Sequence, residues 1–141
     1  MSDVRRVVLD NEAVQALASV RHPKHRRALA IVEATAGRNL RRAGAIRLVV
    51  PTAVRVEAGW DRQKRSAAAI NRLRFDESPL DREAADRAAP VAAGLGISVA
   101  DAHIAAVLTT TPGPHAVVTS DAADMGRLAG HLAVPVAVVR V

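Results

Sequence analysis

Cysteine is absent from all 141 residues, which excludes disulfide bonds and thiolate-bound metal centres. Tyrosine is absent too, and there is one tryptophan, Trp60, and one phenylalanine, Phe75. A core with so few rings must be filled by Ala, Val, Leu and Ile, which bury less area each. Part of the stability is therefore expected at a subunit interface. No run approaches the roughly 20 apolar residues that a membrane-spanning helix needs. The opening stretch MSDVRRVVLDNEAV has too short an apolar run for a signal peptide and passes directly into a strand-like segment. The expectation is a soluble, cytoplasmic protein. Half the residues are hydrophobic, which argues against disorder, and the length suits one domain over residues 1–141.

Lysine is scarce, two residues against eighteen arginines, and the net charge of +6 is unevenly spread. Between Arg21 and Arg74 there are fourteen Lys/Arg and three acids, a balance of +11; the rest of the chain holds six basic residues and eleven acids, a balance of −5. A polyanion-binding face beside an acidic pocket fits this split. A merely solvated basic face is the plainer alternative.

Apolar periodicity gives alternating strands and helices. Arg5–Leu9, Ile46–Val50, Ala116–Thr119 and Pro135–Val139 read as strands, with Phe75–Leu80 as a turn or short strand. Helical patterns cover Asn11–Val20, Lys24–Ala36 with Gly37 as its C-cap, a helix beginning at Pro51-Thr52, the basic stretch Asp61–Leu73, Asp81–Ala93 with a kink or break at Pro90, Val99–Leu108 and Asp121–His131. Arg38–Ala45 reads as a basic loop. Strands separated by helices predict a parallel sheet covered on both faces.

Against that frame the acids fall at informative places. Asp10 closes the first strand, Glu57 lies in the helix after the second, Asp101 opens a helix after the cap Ser98, and Asp121 follows AVVTS, with Asp124 close behind. Each has a bland explanation as a helix cap or an exposed helical acid. Groups outside the carboxyl ends of neighbouring strands nonetheless converge on one crevice in such folds. Carboxylates gathered there repel unless they share a cation, and an all-oxygen set suits Mg²⁺ or Mn²⁺. Such an ion can activate water against a phosphodiester. His103 reads as a polar surface or supporting residue, and the remaining histidines have no zinc-type spacing. There is no GxxxxGK[ST] phosphate loop.

Four segments together resemble the PIN-domain ribonucleases, specifically the VapC-type toxins of bacterial toxin–antitoxin modules: VVLDNEAVQAL, TAVRVEAGW, VADAHIAAVL and VVTSDAADMGRLA. The resemblance covers nearly the whole chain in order and spacing. It implies a three-layer α/β/α PIN-like fold with a mainly parallel, about five-stranded sheet, usually in a dimer. It also implies that Asp10, Glu57, Asp101 and Asp121 are catalytic acids that bind Mg²⁺ or Mn²⁺, with Asp124 auxiliary and Thr119 orienting the site. The implied substrate is RNA, structured RNA such as transfer RNA included, and the implied partner is a VapB-type antitoxin. Two departures stand out. Asn11 and Glu12 occupy positions where the family usually has Thr or Ser and then Ser, and Met125 stands for Phe or Leu. Asn11 keeps hydrogen-bonding capacity, whereas Glu12 adds negative charge.

RNA contacts are expected at Arg26, Arg27, Arg41, Arg42, Lys64 and Arg65, on charge clustering alone. With scarce aromatics, recognition should lean on backbone and shape rather than base stacking. Two other readings compete. A catalytically silent nucleic-acid or protein-binding module of the same fold is favoured by Glu12. A haloacid-dehalogenase-type phosphotransferase would use Asp10 as covalent nucleophile, but it wants an Asp at position 12.

Overall fold

In the computed structural model, the described residues are 4–41 and 46–141, without the side chains of 38–41. Five strands form one sheet: β1 (Arg6–Leu9), β2 (Arg47–Pro51), β3 (Asp76–Ser78), β4 (His115–Thr119) and β5 (Val136–Arg140). Their order across the sheet is β3-β2-β1-β4-β5 and every neighbouring pair is parallel. The helices are α1 (Asn11–Ala18), α2 (His25–Arg41), α3 (Thr52–Glu57), α4 (Ala68–Asn71), α5 (Arg82–Leu95), α6 (Val99–Thr110) and α7 (Ala122–Leu132). The fold is a three-layer α/β/α arrangement around a five-stranded parallel sheet: the strand–helix alternation predicts the parallel sheet covered on both faces, and the family resemblance implies the five strands.

Burial explains the strand sequences. Val7, Val8 and Leu9 of β1 and all five residues of β4 are buried, so both central strands read as continuous apolar runs rather than alternating ones. Helix α6 is buried from Ala102 through Leu108, and it is correspondingly apolar around its whole circumference. β1 is the topological pivot. The chain leaves it toward β2 on one side and later returns to β4 on the other, which opens a crevice at the carboxyl ends of β1 and β4.

Several boundaries differ from those read in the sequence. Asp61–Leu73 is not one helix: it holds only a 3₁₀ turn at Arg65–Ala67 and the single turn α4. Side chains compete with the helical ladder there, as Asp61 accepts from Gln63 N at 2.9 Å and Asn71 donates to the Arg62 carbonyl at 2.8 Å. Helix α2 runs through Gly37 to Arg41, so Gly37 is no C-cap and the first four residues of the expected loop are helical; a mid-helix glycine costs only about 1 kcal/mol. Residues 42–45 of that expected loop lie outside the described residues. Helix α5 is continuous across Pro90, which sits on an exposed face where the carbonyl it leaves unpaired can meet water. Phe75–Leu80 supplies the short edge strand β3.

The two aromatic residues are placed together. Trp60 is 4% exposed and meets Phe75 edge-on, with ring centroids 5.9 Å apart. The guanidiniums of Arg55 and Arg62 stack on the indole at 5.2 and 5.0 Å from its centroid. Glu77 of β3 binds both arginines, at 2.7 and 3.2 Å, and the indole N–H donates to Asn71 at 2.8 Å. This knot fastens the end of α3 to β3 and α4. Trp60→Ala is expected to cost about 3–5 kcal/mol, read as a lower urea midpoint, and Trp60→Phe, which keeps a ring but loses the Asn71 hydrogen bond and part of the indole's packing, should cost less.

Candidate active site

Local sequence places each acid at a helix start or end beside the crevice. Asp10 is the N-cap of α1 and accepts from Ala13 N at 2.9 Å; Asp121 is the N-cap of α7 and accepts from Asp124 N at 2.9 Å. Asp101 stands in the first turn of α6, which Ser98 caps by accepting from Asp101 N at 3.1 Å. Glu57 ends α3. The plain structural roles are therefore real for three of these positions. They also decide where the carboxylates point, because the cleft of about 520 Å³ is lined by Asp10, Glu57, Asp101, Asp121 and Asp124 together with Asn11 and Thr119. The positive ends of α1, α6 and α7 offset part of the repulsion this gathering creates.

The electrostatics follow from burial. Asp10 is 8% exposed, and burial lifts its carboxyl above the usual range, aided by the charges of Asp101 and Glu12. Hydrogen bonds from Thr119 and Ala13 pull the other way without cancelling the rise. Asp101 is half-buried and also raised, first by burial and then by the charge of Asp121, against a hydrogen bond with Ser98. Thr119 itself is fully buried, and its hydroxyl accepts from Asp121 N at 3.0 Å, so one side chain ties Asp10 to Asp121.

Asn11 donates its amide to Glu57 at 3.1 Å, which fixes its orientation, since the flipped amide would set oxygen against carboxylate. Its Oδ1 is consequently turned inward, buried, and without a hydrogen-bond partner among the described residues. Glu12 lines the cleft but is drawn toward His22 and Lys24, 3.4 and 3.9 Å away. His103 is not a surface residue. It is fully buried, and its Nδ1 accepts from Ala53 N at 3.3 Å, supporting α3 from behind the cleft. Burial holds its imidazole below the ordinary range.

Not every residue expected at the site lies there. Arg26 and Arg27 are exposed on α2, where the Arg27 Nε donates to the Arg140 carbonyl at 3.0 Å. Lys64 and Arg65 are exposed beside the 3₁₀ turn, and none of these four lines the cleft. The side chain of Arg41 and the whole of Arg42 lie outside the described residues. One cation does line the cleft: Arg127, paired with Asp124 one turn earlier on α7. Charge clustering passed over it because it lies in an acid-rich segment; its spacing from Asp121 and Asp124 was the available signal.

The donor chemistry suits a hard divalent cation: carboxylate and hydroxyl oxygens, with no histidine or cysteine among the described lining residues. Among the described residues, no three acidic or histidine side chains stand close enough as they are to hold one ion. Glu57 is held by Asn11 and Asp124 by Arg127, so the arrangement is open.

No family model matches the chain, and no curated protein matches its sequence. Among solved structures it is similar to a chain in the VapBC2 complex of Rickettsia felis bound to a DNA fragment from their promoter. The TM-score is 0.60 at 14% sequence identity, covering 96% of this chain and 98% of that one. A likeness at that identity establishes the fold. Among the described residues no helix is long and apolar enough to cross a membrane.

A raised carboxyl pKa binds the proton more tightly in the folded than in the unfolded state. Such a group favours folding below its ordinary value of 3.8, and that contribution is lost as pH rises through the raised value. In EDTA, Asp101→Asn is therefore expected to melt higher than the parent at about pH 7, by roughly 2–4 °C per kcal/mol of strain relieved. The gain should shrink toward about pH 4, where the parent's carboxyl recovers its proton. Parallel thermal melts at the two pH values check this; an equal shift at both would contradict it.

Proposed function

We propose that the chain is a metal-dependent endoribonuclease, the VapC-type toxin of a VapBC-type toxin–antitoxin module, hydrolysing RNA phosphodiester bonds. The observation that carries the reading is the convergence of Asp10, Glu57, Asp101 and Asp121, far apart in sequence, on one cleft at the carboxyl edge of the sheet. The likeness to a chain of a VapBC2 complex supports the toxin–antitoxin setting.

In this reading Asp10, Glu57, Asp101 and Asp121 hold Mg²⁺ or Mn²⁺. A bound ion supplies charge stabilisation at the phosphodiester and lowers the pKa of a coordinated water. The chain's own residues prepare the place. Ala13 N–H and Thr119 fix the Asp10 carboxylate, and the Asn11 amide fixes Glu57. Leu95, Ile97, Met125 and Leu128 add apolar surface to the lining. Arg26, Arg27, Arg41, Arg42, Lys64 and Arg65 are proposed as outlying phosphate contacts. The antitoxin would cover the cleft, and a homodimer would bury further apolar surface.

A second reading, a catalytically silent binding module of the same fold, is favoured by the open spacing of the acids and by Glu12 in the cleft. Cleavage separates the two. Antitoxin-free protein incubated with total RNA and Mg²⁺ or Mn²⁺ is expected to yield discrete fragments, with none in EDTA. Asp101→Asn should slow cleavage by about 100-fold or more, the upper end of what residues merely supporting a metal site can cost. Intact RNA from well-folded, metal-supplied protein would leave the binding module standing.

A further inference from the structure

We propose that Arg127 is the phosphodiester contact within the cleft, and that Asp124 serves to hold its guanidinium at the mouth rather than to bind metal. This rests on the ribonuclease reading and adds to it a substrate-positioning residue.

The cleft presents a problem for any RNA. Six carboxylates line it, from Asp10, Glu12, Glu57, Asp101, Asp121 and Asp124, and a polyanion is repelled by such a surface. Arg127 is the only cation among the described lining residues. The basic residues picked out by charge clustering whose side chains are described lie elsewhere, on α2 and at the 3₁₀ turn, and do not line the cleft.

Helix geometry makes the placement specific. Asp121, Asp124 and Arg127 recur at three-residue intervals from the N-cap of α7 and so follow one side of the helix along the cleft. Met125 and Leu128 turn into the protein and hold α7 in place. Asp124 and Arg127 have side chains 63% and 74% exposed, and an exposed pair of this kind contributes little to the fold. The guanidinium can therefore exchange a carboxylate for a phosphate at small cost, and it matches phosphate oxygens through two parallel hydrogen bonds.

Arg127→Gln and Arg127→Lys test this. With wild-type cleavage as the reference, Arg127→Gln is expected to raise KM about 10-fold or more with kcat changed much less. Arg127→Lys should recover part of the loss through its charge. Binding is read separately on Asp101→Asn protein in EDTA, using a fluorescein-labelled single-stranded RNA of mixed sequence. Adding Arg127→Gln should reduce the slope of log affinity against log salt by about 0.7, one contact on a single strand. Mn²⁺ titration of the resting Arg127→Gln protein should match wild type. An unchanged KM and salt slope in Arg127→Gln would overturn the proposal, as would Asp124→Asn protein that no longer takes up Mn²⁺, because Asp124 would then be a ligand. If wild-type protein cleaves no RNA, the ribonuclease reading fails, and the binding slope still decides whether Arg127 touches phosphate.

Discussion

Everything at this site depends on keeping like charges together at the edge of a parallel sheet. The strand order brings the ends of β1 and β4 side by side, and with them the first turns of α1 and α7. Asp10 and Asp121 are then linked through one buried threonine, and Asp101 arrives from α6. Burial and mutual repulsion lift two of these carboxyls. Helix N-termini and capping hydrogen bonds supply part of the compensation. A fold built only for stability would gain by neutralising them, which is why their joint presence reads as function rather than packing.

The cap and the cleft are one device. A carboxylate that accepts from the first turn of a helix has one oxygen occupied and a fixed direction, so its other oxygen is aimed without further packing. Asp121 uses this arrangement, and Asp10 adds a hydrogen bond with Thr119 to it. Glu57, at the far end of a short helix, has no such cap and depends on Asn11 instead. Substitution of Asn11 by the small hydroxyl residue usual in the resembled family would replace that link with a shorter reach.

Much of this was legible in the sequence because it rests on local rules. The buried runs of β1, β2 and β4, the Ser98 cap and the acids after strands all follow from periodicity and capping. What escaped was decided by contacts distant in sequence. Asp61–Leu73 has helical composition, yet Trp60, Asn71 and Glu77 draw its backbone and side chains into a knot with β3. The same contacts undo the segmental charge count. Arg47, Arg55 and Arg62 belong to the basic stretch but are paired with Asp76 and Glu77, acids counted in the other part. His103 could be read as either a surface or a supporting residue because its burial comes from α3 packing on α6, which no local pattern announces. Arg127 escaped for the opposite reason, a single cation without a cluster.

The knot around Trp60 has a practical side. The indole is the chain's sole tryptophan, lies three residues beyond Glu57, and is bounded by two guanidiniums and a phenyl edge. Its emission is therefore an intrinsic optical gauge of one place in the molecule, the seat of α3. Any event that moves Glu57 together with its helix, such as cation uptake or the arrival of a second protein over the cleft, would register in unlabelled protein as a change in colour or quenching.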